Sequence, residues 1–102
     1  MPIMVRIPAP LRRLTDGQPT LKAEGKTVLE VLLDLDAKYP GIRDKLYDKS
    51  TLRPFFNIYL NNEDIQVLNR KEGCYQIDIN NPVKDGDQLS IIPPIAGGIG
   101  EQ

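Results

Sequence analysis

The residues best placed to do chemistry in this sequence have almost no side chains. They form the run Pro93-Pro94-Ile95-Ala96-Gly97-Gly98-Ile99-Gly100-Glu101-Gln102. The rings of Pro93 and Pro94 fix φ and donate no N–H, so regular structure is expected to stop near them. Ala96, Gly97 and Gly98 offer no bulk beyond them, and the two glycines can take backbone angles closed to other residues. Stretched from Pro94 to Gly98, such a chain reaches on the order of 14 Å at roughly 3.3–3.6 Å per residue. It can pass along a narrow tunnel and deliver backbone chemistry to a buried site in another protein. The plainer reading is a frayed, Gly-rich terminus.

Side-chain chemistry is scarce elsewhere. The chain has no histidine, which removes the commonest general base and metal ligand and with them any Cys–His nucleophile pair or imidazole zinc site. Its one cysteine, Cys74, stands between Gly73 and Tyr75 without a motif. It reads as an ordinary strand or loop residue, and an unpaired cysteine fits a reducing compartment. The acidic pairs Glu63-Asp64 and Asp85/Asp87 adjoin Asn or Gly, so turn chemistry accounts for them without metal binding. Arg12-Arg13 is a pair in a solvated loop, and 13 basic against 14 acidic residues leave no basic footprint for nucleic acid. No catalytic side chain, metal or bound cofactor is expected.

A tail needs a body to present it. At 102 residues, 40% hydrophobic and 26% charged, the chain suits one ordinary globular domain. No apolar run exceeds that of Val31-Leu32-Leu33 and no secretory signal opens the chain, so a cytoplasmic protein without a membrane span is expected. Ile3, Val5 and Ile7 alternate in a strand ended by Pro8, residues 12–17 read as a loop, and 20–23 as a strand antiparallel to the first. Thr27 and Glu30 form a capping box in which Glu30 reaches back to residue 27. The helix it opens carries Val28, Val31, Leu32, Leu35 and Tyr39 on one stripe, with Glu30, Asp34 and Lys38 toward water, and Pro40-Gly41 ends it. Residues 42–47 suggest a short second helical turn, and 48–54 an exposed connection. Residues 55–60 read as a strand with Phe56, Ile58 and Leu60 on one face, 64–68 as a short return strand, 69–82 as irregular, and 88–92 as a closing strand. The class is α+β: a mixed sheet with one main helix on one face, the first and last strands side by side in its centre. The division is 1–94 as the domain and 95–102 as a flexible tail.

The segment Val83-Lys84-Asp85-Gly86-Asp87-Gln88-Leu89-Ser90-Ile91-Ile92-Pro93-Pro94-Ile95-Ala96-Gly97-Gly98 resembles the end of the ubiquitin-like sulfur carriers. That family includes the small subunit of molybdopterin synthase and the thiamine-pathway sulfur carrier. Asn57-Ile58-Tyr59-Leu60-Asn61-Asn62-Glu63-Asp64-Ile65 is a second match, most like the longer carriers that supply sulfur for cysteine or methionine synthesis. The resemblance implies a β-grasp fold over residues 1–98 and a carrier rather than an enzyme. It implies that an ATP-dependent adenylyltransferase of the ubiquitin-activating kind adenylates the carboxylate of Gly98, that sulfur displaces AMP to give a thiocarboxylate, and that a sulfur-accepting biosynthetic enzyme receives the tail. Gly97 and Ala96 would supply clearance, since a Cβ in a narrow channel obstructs it.

One departure matters. The family's active form ends at its Gly-Gly, whereas Gly98 is here joined to Ile99. The expectation is cleavage between Gly98 and Ile99 by a zinc-dependent, deubiquitinase-like metalloprotease. Phe55, Tyr59 and Ile95 are candidates for partner docking, with packing under residues 41–54 as the alternative for Phe55 and Tyr59. Other readings stay open: a molybdopterin synthase subunit, a protein modifier joined to lysines through Gly98, or an interaction module with an inactive tail.

Overall fold

The computed structural model describes residues 2–71 and 73–93. Period-two alternation lays out the sheet. In β1 (Ile3–Arg6) Ile3 and Val5 are buried while Arg6 is exposed. β7 (Gln88–Ile92) buries Leu89 and Ile91, and β3 (Asn57–Leu60) buries Ile58. β1 and β7 run parallel with Val5 opposite Leu89. β2 (Thr20–Ala23) lies antiparallel to β1, and β3 antiparallel to β7 with Ile58 opposite Ile91. β4 (Glu63–Asp64) adds a short edge, giving the order β2-β1-β7-β3-β4. The first and last strands lie at its centre, as the sequence predicts.

Helix α1 (Val28–Lys38) covers one face of that sheet. Val28, Val31, Leu32 and Leu35 are fully buried in one cluster with Ile3, Val5, Leu21, Ile58, Leu89 and Ile91. Each such aliphatic side chain contributes roughly 1.5–3 kcal/mol by leaving water. A mixed sheet grasping one helix is the β-grasp arrangement. Gly41, at φ 97°, turns the chain into α2 (Ile42–Leu46), which buries Ile42 and Leu46. Asp36, which the periodicity gives no role, fastens this joint: its Oδ1 accepts from the N–H groups of Gly41 and Arg43, both at 3.2 Å.

The start of α1 differs from expectation by one residue. Thr27 Oγ1 accepts from the Glu30 N–H at 3.2 Å, but Glu30 Oε1 accepts from the N–H of Lys26, at 2.9 Å, instead of that of Thr27. Gly25 lets the chain pass this close to the helix. A Cβ there would sit 2.8 Å from Glu30 Cβ and 2.8 Å from the Val31 nitrogen. Because backbone cannot swing aside, Gly25→Ala is expected to destabilise the domain by about 1–3 kcal/mol. Urea unfolding checks this, and an unchanged midpoint would mean that the helix start yields freely.

Asp34 and Lys38 do more than face water. Lys38 Nζ donates to Lys22 O at 3.1 Å, Asp34 Oδ2 accepts from the Glu24 N–H at 3.0 Å, and the two side chains pair at 3.0 Å. They thereby cover polar backbone groups along the free edge of β2, which would otherwise invite another strand.

Other boundaries are corrected. The loop expected at 12–17 belongs largely to a 3₁₀ helix, Ala9–Thr15, held by Thr15 Oγ1, which donates toward Arg12 O or Gln18 O at 3.1 and 2.9 Å. The strand read from Phe55 starts at Asn57. The return strand at 64–68 is split: Asp64 Oδ1 accepts from the Gln66 N–H at 2.9 Å and turns the chain, so only Glu63 and Asp64 pair with β3. The rest becomes β5 (Gln66–Asn69), paired with β6 (Cys74–Ile77) inside the stretch expected to be irregular. Val67, Leu68 and Tyr75 are exposed in this hairpin, so its hydrophobic pattern does not mark an inner face. No described helix is long and apolar enough to cross a membrane.

Candidate functional site: the root of the tail

β7 delivers the chain to its tail and is anchored where it begins. Asp87 Oδ1 accepts from Asn61 Nδ2 at 3.0 Å, and its Oδ2 accepts from the Lys84 N–H at 2.9 Å. Asn61 Oδ1 in turn accepts from the Gln88 N–H at 2.9 Å, and the Met4 N–H donates to Asp87 O at 3.0 Å. The turn at 85–87, the Asn61-Asn62 turn and β1 are thus tied together at one end of β7. The Asn61 amide, followed by the Lys84 N–H, holds the Asp87 carboxyl below its ordinary value. Hydrogen bonding of this kind explains Asp87 without any metal, and no metal-holding cluster of His, Cys, Asp or Glu occurs among the described residues.

At its other end β7 rises out of the core. Ile91 is buried, whereas Ile92 is 43% exposed and Pro93 is exposed. The sheet face away from α1 carries a row of cross-strand neighbours. Arg6 stands between Thr20 and Ser90, Ser90 is opposite Tyr59, and Tyr59 is opposite Asp64. A groove of about 500 Å³ opens over this row, and Pro93 forms part of its wall together with Tyr59, Ile92, Pro8, Arg6 and Arg12. The face can therefore receive another surface beside the point where the tail leaves.

The candidates separate around this groove. Tyr59 is half-buried and lines it; Phe55 is 49% exposed, outside the lining, its N–H donating to Leu46 O at 2.8 Å. Ile95, Ala96, Gly97, Gly98 and Ile99 lie outside the described residues. Cys74 sits half-buried in β6 opposite Asn69. Arg6 and Arg12 received no site role from the sequence, yet both line the groove. A signal was available for Arg6, because burying Ile3 and Val5 leaves Arg6 on the opposite face of the strand.

The ThiS family model matches residues 5–98. The chain is similar to the sulfur carrier protein CysO of Mycobacterium tuberculosis, 38% identical over 101 residues, covering 96% of this chain and 100% of that protein. Among solved structures it is similar to a chain of the Amycolatopsis orientalis BexX/CysO complex, with a TM-score of 0.75 at 38% identity over 94% of this chain and 99% of that one. It is also similar to the small archaeal modifier protein 1 of Methanosarcina acetivorans, with a TM-score of 0.69 at 32% identity over 94% and 95% of the two chains.

Proposed function

The chain belongs to the ThiS family of ubiquitin-like sulfur carriers, and we propose that it holds its sulfur on the carbonyl carbon of Gly98. The sequence of events begins with hydrolysis of the Gly98–Ile99 peptide bond by a deubiquitinase-like metalloprotease, which leaves Gly98 with a free carboxylate. An adenylyltransferase of the ubiquitin-activating kind joins that carboxylate to the α-phosphate of ATP and releases pyrophosphate. A sulfur donor then displaces AMP, and the resulting thiocarboxylate is the form delivered to a sulfur-accepting enzyme, with cysteine or methionine synthesis as the favoured destination. This chain supplies geometry and no catalytic group. Gly97 and Ala96 keep the approach narrow, while Phe55, Tyr59 and Ile95 at the tail's base meet the partners.

One observation supports this reading above the others. The strand that leads to the tail is the central β7, paired on both sides, and the family match continues from it through Gly98. A rigid strand feeding a slender segment is the form a substrate arm needs, since little orienting entropy is left to lose at its base.

Mass spectrometry of the protein isolated from its own host under sulfur limitation tests the proposal. A species ending at Gly98 and heavier by the exchange of one oxygen for sulfur is expected. A chain that stays intact to Gln102 in those cells would overturn it. The similarity to an archaeal modifier protein favours a second use of the same carbonyl, as an isopeptide to lysine. Recovery of Gly98 joined to lysine side chains after protease digestion would establish that use.

A further inference from the structure

Among the described residues, Asp16, Leu52, Asn61 and Asn62 are the non-glycine residues at positive φ. Aspartate and asparagine tolerate that region because their short polar side chains bond the nearby backbone. Leucine does not, since its Cβ crowds the following carbonyl. Leu52, at φ 61°, is therefore strained, and such strain persists only where the surroundings over-determine it. Its N–H donates to Asp48 O at 2.7 Å, its C=O accepts from the Ile77 N–H at 2.8 Å, and its side chain packs against the core. Beside it, Thr51 O accepts from Gln76 Nε2 at 2.6 Å. The loop that carries Leu52 is drawn tight from within. Asp48 Oδ1 accepts from the Ser50 N–H at 2.8 Å and from the Ser50 hydroxyl at 2.7 Å. The Asp48 N–H donates to Arg53 O at 2.9 Å, and Tyr47 pairs with Pro54 as a bridge at the base. Residues 48–53 thus lie as a strap against β6 of the β5–β6 hairpin, a two-stranded sheet separate from the five-stranded one.

We propose that this strap and the hairpin form one element that opens as a unit while the five-stranded sheet and α1 stay folded, and that Leu52 is its strained clasp. The element is held shut by the bonds from β6 to Thr51 and Leu52, with Ile77 buried behind them. Three observations make opening easy. The hairpin shares no ladder with the main sheet. Its outer residues Val67, Leu68 and Tyr75 already face water, so they lose no cover. Releasing Leu52 from the left-handed region offsets part of what breaking the clasp costs. Segments of this kind open at lower free energy than the core beneath them. Opening also bears on the tail. Beyond Pro54 the chain enters β3 at Asn57, which is paired with Ile92, and Asn57 Oδ1 accepts from Gln66 Nε2 at 3.1 Å. A hairpin that swings away takes Gln66 with it, so the strand residue beside Ile92 loses a side-chain tie and the base of the tail gains freedom. None of this depends on what the tail carries.

Native-state hydrogen exchange of the full chain, followed residue by residue by NMR at low urea, tests the proposal. The Ile77 N–H, which closes the clasp, and the Leu52 N–H, inside the strap, are expected to match each other within about threefold. Both should be protected at least about 100-fold less than the N–H of Leu35, a fully buried residue of α1. Equal protection at Ile77 and Leu35 overturns the proposal, because the element would then open only with the whole domain. Comparison of Leu52→Ala with Leu52→Gly tests the strain. Both remove the side chain, and only alanine keeps a Cβ in the left-handed region. Protection at Ile77 is expected to be about threefold to tenfold higher in the glycine chain, the reverse of the order on an ordinary helical or extended backbone. Equal protection, or alanine ahead, overturns Leu52 as a strained clasp. Gln76→Ala removes the bond to Thr51 O and leaves the backbone bond of the clasp. It should lower protection at Ile77 and Leu52 together by at least about threefold, with Leu35 within about twofold. A fall confined to one of the two would show that strap and hairpin move separately, which overturns the single element.

Discussion

Substituting alanine for Gly97 and Gly98 together removes sulfur loading and leaves the domain folded. Thiocarboxylate formed per chain is expected to fall at least about 100-fold, the loss that follows when a reacting group is displaced by about 1 Å in a fitted site. The thermal midpoint is expected not to move, because the buried core among the described residues lies between Ile3 and Ile91. Each alanine adds a methyl group where the tail must pass a partner's channel, and each restricts the backbone angles open to the tail. Two steps can suffer, and the mass spectrum separates them. A chain still intact to Gln102 places the block at cleavage after Gly98; a chain ending at residue 98 without sulfur places it at adenylation or later. Loading of the alanine chain at the unaltered rate would mean that slenderness is not what the tail contributes, and the interaction-module reading would then gain.

The body that presents this tail is legible wherever burial is one-sided. Val28, Val31, Leu32 and Leu35 repeat at helical spacing because one face of α1 meets the sheet, and all four are buried. Ile3 and Val5 alternate with Met4 and Arg6 for the same reason. The hairpin of β5 and β6 escapes this logic, because Val67, Leu68 and Tyr75 are exposed while Ile65 and Ile77 are buried, so polarity and orientation do not alternate together. The 3₁₀ helix at Ala9–Thr15 is hidden by two prolines, Pro8 at its N-cap and Pro10 at its second position, which read as loop signals although the first turn of a helix accepts proline. The groove is the least legible feature. It joins residues from β1, the 3₁₀ segment, β3 and β7, and no local spacing announces that Arg12 and Tyr59 share a wall.

Loss of the Asp87 carboxylate is the largest stability effect expected outside the hydrophobic core. Asp87→Ala leaves Asn61 Nδ2 and the Lys84 N–H without their acceptor at a site where Asp87 is only 8% exposed. Hydrogen bonds to a charged acceptor are worth about 1.5–3 kcal/mol each, less whatever water restores, so a net cost of about 2–3 kcal/mol is expected in urea unfolding at neutral pH. Asp87→Asn can still accept one bond, should cost less, and removes the ionisation. The pH dependence then has a definite sign. Because the Asn61 amide and the Lys84 N–H hold the folded carboxyl below its ordinary value, the folded state favours the ionised form. That stabilisation is complete above the ordinary aspartate range, near 3.9, and is lost as pH falls through it toward the folded value. The gap in unfolding free energy between the unaltered chain and Asp87→Asn should therefore be widest at pH 7 and close progressively below about pH 4. A gap that stays constant down to pH 3 would show that the Asn61–Asp87–Lys84 network acts through shape alone. Asn61→Ala combined with Asp87→Ala should cost less than the sum of the two single changes, because each removes the same contact. Sulfur loading at temperatures where these variants remain folded should be unchanged, since the network grips the start of β7 and the tail leaves from its other end.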